Sequence, residues 1–233
     1  MAGYDLKDPN EIEEYIKNLH IEYQFGCLSE KKPEVCHLLG DYKEAIIQHY
    51  KDAINVYKKN CDQYNYGRSC TKYGDYRVKG KHCEKDLTEA FKYLQKGCEN
   101  GDANGCLRAG VLAVSEEKPE PDRKSQVLLG LKLLKKACDS KEEKACFYLS
   151  GIYLSGIEEI VEKNLKEAYV LSLKSCELGN PFACSNVSVM HKKGDGVQQN
   201  QELAQSFRKR ADELFKDMKD FKQQIKFHQG INP

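Results

Sequence analysis

Residues 164–197 read NLKEAYVLSLKSCELGNPFACSNVSVMHKKGDGV, and this stretch decides the fold. Helix-forming residues run up to Cys176, the turn residues Gly179 and Pro181 follow, and a second helix-forming run starts at Cys184. Glycine and proline interrupt regular structure, so the stretch predicts a helix, a turn and a second helix. The two cysteines mark the end of the first helix and the start of the second.

The same cysteine pair recurs along the whole chain. Ten of the 11 cysteines form five pairs with seven or eight residues between them, namely Cys27/Cys36, Cys61/Cys70, Cys98/Cys106, Cys138/Cys146 and Cys176/Cys184. The first cysteine advances by 34, 37, 40 and 38 residues from pair to pair. A period of about 20–50 residues is typical of a solenoid. We therefore predict an all-α fold, an α/α solenoid of about five disulfide-stapled helix-turn-helix repeats with a C-terminal capping helix.

The pattern predicts a single repeat domain over residues 1–233. The repeats are expected at about 10–46, 47–80, 86–115, 122–156 and 164–194, and the capping helix at about 200–226. That last segment has one apolar helical face, formed by Leu203, Phe207, Ala211, Leu214, Phe215, Met218 and Phe221. The end of a repeat array needs such a helix as a cap. A membrane-surface helix is the alternative, but the polar face mixes both charge signs, which disfavours it.

Other positions share the register of the cysteines. Small residues stand four positions after each second cysteine, at Gly40, Gly74, Gly110, Ser150 and Ser188. Small residues also stand eight positions before the first cysteine in four repeats, at Ala53, Ala90, Gly130 and Ala168. We expect both sets to mark a close approach of the two helix backbones of a repeat. Helix ends are predicted at Gly80, Gly156 and Gly194, and helix N-caps at Asp86 and Asn164.

The turn between the helices decides whether the cysteines can bond. On one continuous helix, residues eight apart are separated by about 12 Å, whereas a disulfide needs Cα atoms within roughly 7 Å. If the segment turns back, each pair can form a disulfide, worth about 2.5 kcal/mol for a loop of this length. Reduced, buried cysteines are the alternative. Zinc is disfavoured because its sites use closer cysteine pairs, and a C-x-x-C redox motif is absent from the sequence.

Composition limits the classes of function and raises a question about compartment. The net charge is +1, so the basic footprint of a nucleic-acid-binding protein is missing, and no apolar run is long enough for a transmembrane helix. The N-terminus has neither signal-peptide nor transit-peptide character, yet the five cysteine pairs indicate an oxidising compartment. The mitochondrial intermembrane space would satisfy both observations, without a cleavable presequence. A cytosolic protein with reduced cysteines is the alternative.

Cys83 has no partner in the repeated pattern. It lies in the loop GKHCEKD and aligns with Val197 in GDGVQQN, which indicates a small apolar side chain filling a loop position. The alternative is a free thiol that exchanges with a partner's disulfide, which His82 could tune if the two side chains touch. Cys83 is therefore the weak candidate for a catalytic residue, and no other catalytic residue is predicted.

The last repeat resembles a Sel1-like repeat, a relative of the tetratricopeptide repeat. The resemblance rests on Ala183-Cys184, on Ser188 and on the loop Gly194-Asp195-Gly196-Val197. Cysteine-paired repeats of this kind occur in the bacterial Hcp (β-lactamase-like) cysteine-rich proteins and in a eukaryotic group of cytochrome c oxidase assembly factors. The chain is most similar to the eukaryotic group in its five pairs, its length and its N-terminus. Two departures are the loop VSEEKPEPDRKS and the missing loop glycine of the first repeat.

The resemblance implies a function and partners. It implies an intermembrane-space scaffold that supports assembly of respiratory complex IV through protein–protein binding, imported by the oxidative import machinery and monomeric. Thiol–disulfide reduction or haem handling for copper or haem delivery partners is the alternative it implies. No cofactor is evident in the sequence: C-x-x-C-H is absent, no metal site is predicted, and Met190 and His191 point about 100° apart on a helix. The histidines form no ligand pattern; they are His20, His37, His49, His82, His191 and His228.

Enzyme activity has weak support in the sequence. S-x-x-K occurs at Ser29–Lys32 and Ser115–Lys118, but S-D-N and K-T-G are absent, so β-lactamase activity is disfavoured. Carboxylates follow three first cysteines and would raise the pKa of a nearby thiol, which disfavours a reductase; they are Glu99, Asp139 and Glu177. A binding scaffold needs less support from the sequence than an enzyme does, because it requires no catalytic residue. Tyrosines on the repeat helices would mostly pack and in part line a groove; they are Tyr73, Tyr76, Tyr93, Tyr148, Tyr153 and Tyr169.

Overall fold

The computed structural model describes residues 4–5, 7–115 and 122–228, with side chains described as far as residue 221. These residues form eleven helices, and their only extended pairing is an isolated antiparallel bridge between Ile157 and Val161. The helices are α1 (Pro9–Leu28), α2 (Pro33–Ala45), α3 (Tyr50–Tyr64), α4 (Gly67–Lys79), α5 (Leu87–Glu99), α6 (Ala103–Val114), α7 (Arg123–Asp139), α8 (Glu143–Ser155), α9 (Leu165–Glu177), α10 (Pro181–Lys193) and α11 (Gln201–His228).

The helices follow the register of the cysteines. Each odd-numbered helix from α1 to α9 contains a first cysteine in its last turn, and each even-numbered helix begins three residues before a second cysteine. We call them the first and second helix of a repeat. The predicted fold class is confirmed: the chain is an all-α array of disulfide-linked helix-turn-helix repeats. The predicted extent of one domain over residues 1–233 stays a prediction.

Polar side chains cap the first helices of four repeats: Asp8 caps α1 by accepting a hydrogen bond from the Asn10 amide, and the other three caps share one geometry. Asp86, Asp122 and Asn164 precede α5, α7 and α9, and each accepts a hydrogen bond from the backbone amide three residues on. Such a cap satisfies one of the amides that a helix N-terminus leaves without an intrahelical partner. The predicted N-caps at Asp86 and Asn164 are confirmed, and Asp8 and Asp122 are two further caps.

The second helices end in different ways. Gly80 and Gly194 adopt the left-handed conformation, with φ of 64° and 83°, as predicted. Gly156 also has positive φ, 73°, but its ψ of 176° lies in a region that only glycine tolerates. In the first repeat, which has no glycine there, the non-glycine residue Gln48 takes positive φ after α2.

In the third repeat, an arginine side chain binds the C-terminus of the second helix. The guanidinium of Arg123 donates hydrogen bonds to the carbonyls of Ala113, Val114 and Ser115, at 3.1 Å to Ala113 and 3.0 Å to Ser115. These carbonyls stand at the C-terminus of α6, where a helix leaves acceptors without an intrahelical partner. Most of the acidic, proline-rich loop that follows, residues 116–121, lies outside the described residues, and with it Lys118 of the Ser115–Lys118 match.

The small residues lie where consecutive repeats meet. A Cβ atom on Gly74 of α4 would stand 3.1 Å from the Ala90 carbonyl oxygen of α5, and one on Gly110 would stand 3.0 Å from the Gly130 carbonyl oxygen. The small residues do mark a close approach, but the predicted pairing within one repeat is wrong: the second helix of one repeat meets the first helix of the next. These helices pack more extensively on each other than the two helices within a repeat do.

Two compact units make up the chain, residues 1–109 and residues 110–233. The core of the first unit is rich in tyrosine and contains Ala53, Ile54, Tyr57, Cys61, Cys70, Tyr73, Tyr76 and Tyr93. A core cluster of the second unit contains Cys176, Ala183, Cys184, Val187 and Ala211, with Phe147, Tyr169, Leu173, Phe207, Leu214 and Phe215 packed around it.

The last helix, α11, covers α10 as the predicted cap. Ala211 is fully buried, and Phe207, Leu214 and Phe215 pack against the core of the second unit. Three side chains of the predicted apolar face remain exposed, namely Leu203, Met218 and Phe221. The reason for the last two is length: α11 has 28 residues and α10 has 13, so the later turns of α11 extend past the helix they cover.

Candidate functional site

The five disulfides join the two helices of each repeat. The Cα atoms of the bonded cysteines lie 4.4 to 4.8 Å apart, which is possible because the chain turns back between the helices. The bonded pairs are Cys27–Cys36, Cys61–Cys70, Cys98–Cys106, Cys138–Cys146 and Cys176–Cys184. Nine of these cysteines are buried, and Cys27 alone is partly exposed. Burial excludes an attacking thiolate from all of the disulfides except the first.

Two carboxylates that follow first cysteines, Asp62 and Asp139, connect neighbouring repeats. Asp139 lies 3.1 Å from the ammonium of Lys174, and Asp62 lies 3.9 Å from that of Lys96. In both pairs the lysine stands two residues before the first cysteine of the next repeat. Because the neighbouring cysteines are in disulfides, no thiol is present for these carboxylates to act on.

Cys83 lies in the loop after α4 and is the free cysteine. It is partly buried against the tyrosine-rich core, and its thiol lies 3.4 Å from the carbonyl oxygen of Tyr76. Val197, its equivalent in the last repeat, is also partly buried. The His82 ring stacks on the ring of Tyr50, with centroids 3.9 Å apart. This environment is that of a packed side chain, whereas exchange needs an accessible thiolate; a catalytic role of Cys83 stays a prediction.

The tyrosines of the first unit form a hydrogen-bonded network with charged side chains. The Tyr57 hydroxyl lies 2.6 Å from a carboxylate oxygen of Asp41 and 2.9 Å from one of Glu44, so its single proton can be donated to either. Burial raises the pKa of Tyr57 far above its ordinary value, and the two carboxylates act in the same direction. The Tyr73 hydroxyl donates to Glu89, and burial with that bond raises the pKa of Tyr73 to about 12. These hydroxyls therefore remain protonated donors that bind helices to one another.

Of the predicted tyrosines, three are buried and three are not. Tyr73, Tyr76 and Tyr93 belong to the core of the first unit, whereas Tyr148 is 47% exposed and Tyr153 and Tyr169 are partly buried. The prediction missed Tyr57, which is fully buried. Tyr57 stands four residues before a first cysteine, and Leu94 and Leu134, at the same position of the next two repeats, are also buried. Comparison of the repeats could therefore have predicted its burial.

A polar cavity of about 350 Å³ lies in the first unit beside α2 and α4. Its wall includes His37, which is buried and has its Nδ1 atom 2.9 Å from the Ser69 hydroxyl. Burial lowers the pKa of His37 below 6.5, so the ring is neutral at pH 7. Burial also raises the pKa of the Asp75 carboxyl, although Arg108 lies 3.4 Å away.

Haem does not fit the surroundings of four histidines, namely His20, His37, His82 and His191. His191 is buried, its Nε2 atom lies 3.2 Å from the Tyr169 hydroxyl, and its ring stacks on Phe207. His20 stacks on Tyr42, and its Nε2 atom is buried. The cavities beside His37 and His82 are lined by charged side chains, whereas the cleft for a large macrocycle is mostly apolar. The side chain of His228 lies outside the described part of the chain.

Among residues 4–5, 7–115 and 122–221, whose side chains the structure describes, no group of three histidine, cysteine or carboxylate side chains could hold a metal ion. No helix in this part of the chain is both long enough and apolar enough to cross a membrane.

The chain contains Sel1 repeats, and its helix pairs are those of a Sel1-repeat protein. The Sel1 repeat family matches residues 63–102, 143–180 and 181–211. A Sel1 repeat protein from Oxalobacter formigenes has a similar structure, with a TM-score of 0.72 at 18% identity, covering 87% of this chain and 82% of the other. A protective antigen of uropathogenic Escherichia coli gives a TM-score of 0.66 at 18% identity, covering 84% and 48%. At this identity the likeness shows the fold alone.

Full-length relatives narrow the class to one family. The cytochrome c oxidase assembly factor 7 homolog of Drosophila melanogaster is 39% identical over 98% of both chains. Cytochrome c oxidase assembly factor 7 of Xenopus tropicalis is 38% identical, covering 97% of this chain and 99% of its own, and that of Homo sapiens is 32% identical, covering 97% and 100%. The chain belongs to the cytochrome c oxidase assembly factor 7 family, which is consistent with a role in assembly.

Proposed function

We propose that the protein is a scaffold that supports assembly of cytochrome c oxidase by binding other assembly proteins on its helical-repeat surface. The observation that carries the proposal is similarity over nearly the full length to assembly factors of that enzyme, combined with Sel1 repeats. Stacked helix pairs present extended surfaces that suit protein binding.

The mitochondrial intermembrane space is the compartment we propose. Five disulfides support it, because disulfides form and persist in oxidising compartments and are rare in the cytosol. We further propose that the oxidative import machinery introduces these disulfides, so that the protein folds and is retained in one process. Its other partners would be assembly factors of complex IV.

Complementation tests the assembly role. Cells that lack their own member of this family would receive this chain, and complex IV would be measured by its activity and by native gel electrophoresis. Restored complex IV, with other respiratory complexes unchanged, supports the proposal. A matched control is the pair of changes Cys61→Ala and Cys70→Ala, which removes one buried disulfide and should reduce the protein level. Failure of the wild-type chain to raise complex IV, at a normal protein level, would overturn it.

Protease protection tests the compartment. An intermembrane-space protein is protected in intact mitochondria and digested once the outer membrane is ruptured, whereas a matrix protein is protected in both. Alkylation of the protein from the same fractions, without reductant, counts its free thiols. One free thiol is expected in the protein from intact, protease-treated mitochondria; a cytosolic protein with eleven free thiols would contradict the proposed compartment.

A further inference from the structure

The first helix of the first repeat differs from the others on its outer face. Three positions define this face: six and two residues before the first cysteine, and one after it. In α1 they hold Ile21, Phe25 and Leu28. The second, third and fourth repeats place polar or charged residues there, namely Asn55, Lys59 and Asp62, then Lys92, Lys96 and Glu99, then Lys132, Lys136 and Asp139. The fold therefore does not require an apolar residue at any of the three positions.

The three side chains form one exposed stripe. Ile21 is 64% exposed, Phe25 59% and Leu28 70%, and their spacing of four and three residues places them on one side of α1. We call these three residues the α1 stripe. Three such side chains form a patch of a few hundred Å², the size at which an apolar patch of a monomer is often functional.

The charge of α1 also differs from that of the other first helices. It contains four glutamates and one lysine, a formal charge of −3 with its histidine neutral. The same count gives +1 for α3, 0 for α5, +4 for α7 and 0 for α9. Glu14 and Glu22 are exposed on α1, and its lysine, Lys17, forms an ion pair with Glu13 at 2.7 Å. The helix that exposes the apolar stripe is thus the one with excess negative charge.

We infer that the α1 stripe binds an amphipathic helix of a partner protein whose apolar ridge is flanked by lysine or arginine. An apolar ridge with residues three and four apart matches the stripe, and basic flanks match the excess charge of α1. This inference deepens the proposed scaffold function and rests on it for its biological setting.

Size and charge disfavour a second copy of the chain and an anionic lipid surface as occupants of the α1 stripe. A stable dimer buries about 800 Å² from each partner, more than the stripe alone supplies. A symmetric pair of α1 helices would also bring two helices of charge −3 together. An anionic lipid surface would meet the same negative charge, whereas membrane-surface helices are rich in lysine and arginine.

Binding of synthetic peptides to the purified, oxidised full-length chain tests the inference. Two fluorescent helical peptides share one leucine ridge; one has lysine flanks and the other glutamate flanks. The test variant combines Ile21→Asn, Phe25→Lys and Leu28→Asp, which gives α1 the residues of the second repeat without changing its net charge. The matched control is Val170→Asn, since Val170 is 56% exposed at the same position of the last repeat. Circular dichroism and thermal melting confirm that both variants are folded.

The basic peptide should bind wild type and Val170→Asn equally, and the triple variant about tenfold or more weakly, because several large apolar contacts are lost. Binding should also weaken as salt rises. Equal binding to the triple variant, tighter binding of the acidic peptide or no binding at all would overturn the inference. So would capture of wild type by anionic vesicles instead of the peptide, or a wild-type dimer that the triple variant abolishes. Complex IV complementation is measured separately, so failure of peptide binding would leave the proposed function standing.

Discussion

Gly74 of α4 lies directly against Ala90 of α5, so closely that a methyl group on Gly74 would stand 3.1 Å from the Ala90 carbonyl oxygen and 2.7 Å from Cγ of Leu94. Gly74→Ala should therefore lower the free energy of unfolding by about 1–3 kcal/mol, although alanine favours a helix. Urea unfolding of the oxidised protein measures the change.

Gly151 provides the matched control for this change. It lies inside α8, and nothing stands within 4 Å of the place where its Cβ would be. Gly151→Ala should raise the free energy of unfolding by about 0.5–1 kcal/mol, because alanine loses less conformational entropy in a helix. A Gly74→Ala protein as stable as Gly151→Ala would show that the α4–α5 contact is looser than described.

The Cys27–Cys36 disulfide should be the first to be reduced. Cys27 is the one partly exposed cysteine of the five bonds, and a thiolate must reach a sulfur atom to reduce it. Brief treatment of the native protein with a limiting reductant, followed by alkylation and peptide mass analysis, reveals the order. Earlier reduction of any pair from the second to the fifth repeat would contradict the prediction.

The cap at Asn164 should be worth about 1 kcal/mol to the second unit. Its side chain accepts a hydrogen bond from the Glu167 amide at 3.0 Å, at the start of α9. Asn164→Ala removes the acceptor and should lower the free energy of unfolding by this amount, measured with urea. Asn164→Asp keeps an acceptor and is the control; a loss as large as that of alanine would mean that another property of the residue matters.

The neutral state of His37 should make the first unit sensitive to acid. Burial, with Arg68 and Lys72 acting in the same direction, lowers the pKa of His37 in the folded protein, whereas the unfolded chain has a pKa near 6.5. The unfolded state then binds more protons, so stability present above pH 6.5 is lost as pH falls toward the folded pKa. The free energy of unfolding should be lower at about pH 5.5 than at about pH 7.5.

His37→Gln isolates that contribution. The variant cannot titrate in this range, so the difference between the two pH values should shrink even if the variant is less stable at both. An unchanged difference would assign the acid sensitivity to another group.

Replacement of Cys83 should leave the fold intact. Cys83→Val introduces the residue that the last repeat has at the equivalent position, and a swap between small apolar residues costs less than about 1.5 kcal/mol. Alkylation without reductant should modify one thiol in wild type and none in the variant. A larger loss of stability would mean that the contact of the thiol with the Tyr76 carbonyl is essential.

The period of the cysteines predicted most of the fold, because each pair marks a physical event, the end of one helix and the start of the next. Asp86 and Asn164 were readable as caps because capping is local in sequence. The sequence did not show which helices the small residues bring together, because Gly74 contacts Ala90 across the boundary between two repeats. The sequence also did not predict that Arg123 binds the carbonyls at the end of α6, because in this repeat a side chain takes the place of the glycine that ends the helix in others.

The functional surface was harder to predict than the fold. Within the first repeat alone, the sequence gives no reason to distinguish Ile21, Phe25 and Leu28 from the ordinary apolar residues of an amphipathic helix. Only comparison at equal register, together with their exposure, shows that the second, third and fourth repeats place polar or charged side chains at these positions. Cys83 drew attention because it is the odd cysteine, yet its surroundings are those of a packed side chain.

The spacing of the disulfides has a consequence for how the chain matures. Bonded cysteines are 8 or 9 residues apart, whereas the nearest competing pair, Cys70 and Cys83, is separated by 13, and other competitors are farther. Short loops close at the lowest entropic cost, so the first encounter of each paired cysteine in the unfolded chain favours its correct partner. The repeats can then oxidise in any order without reshuffling, and an oxidant alone, with no isomerase, would suffice to complete the molecule.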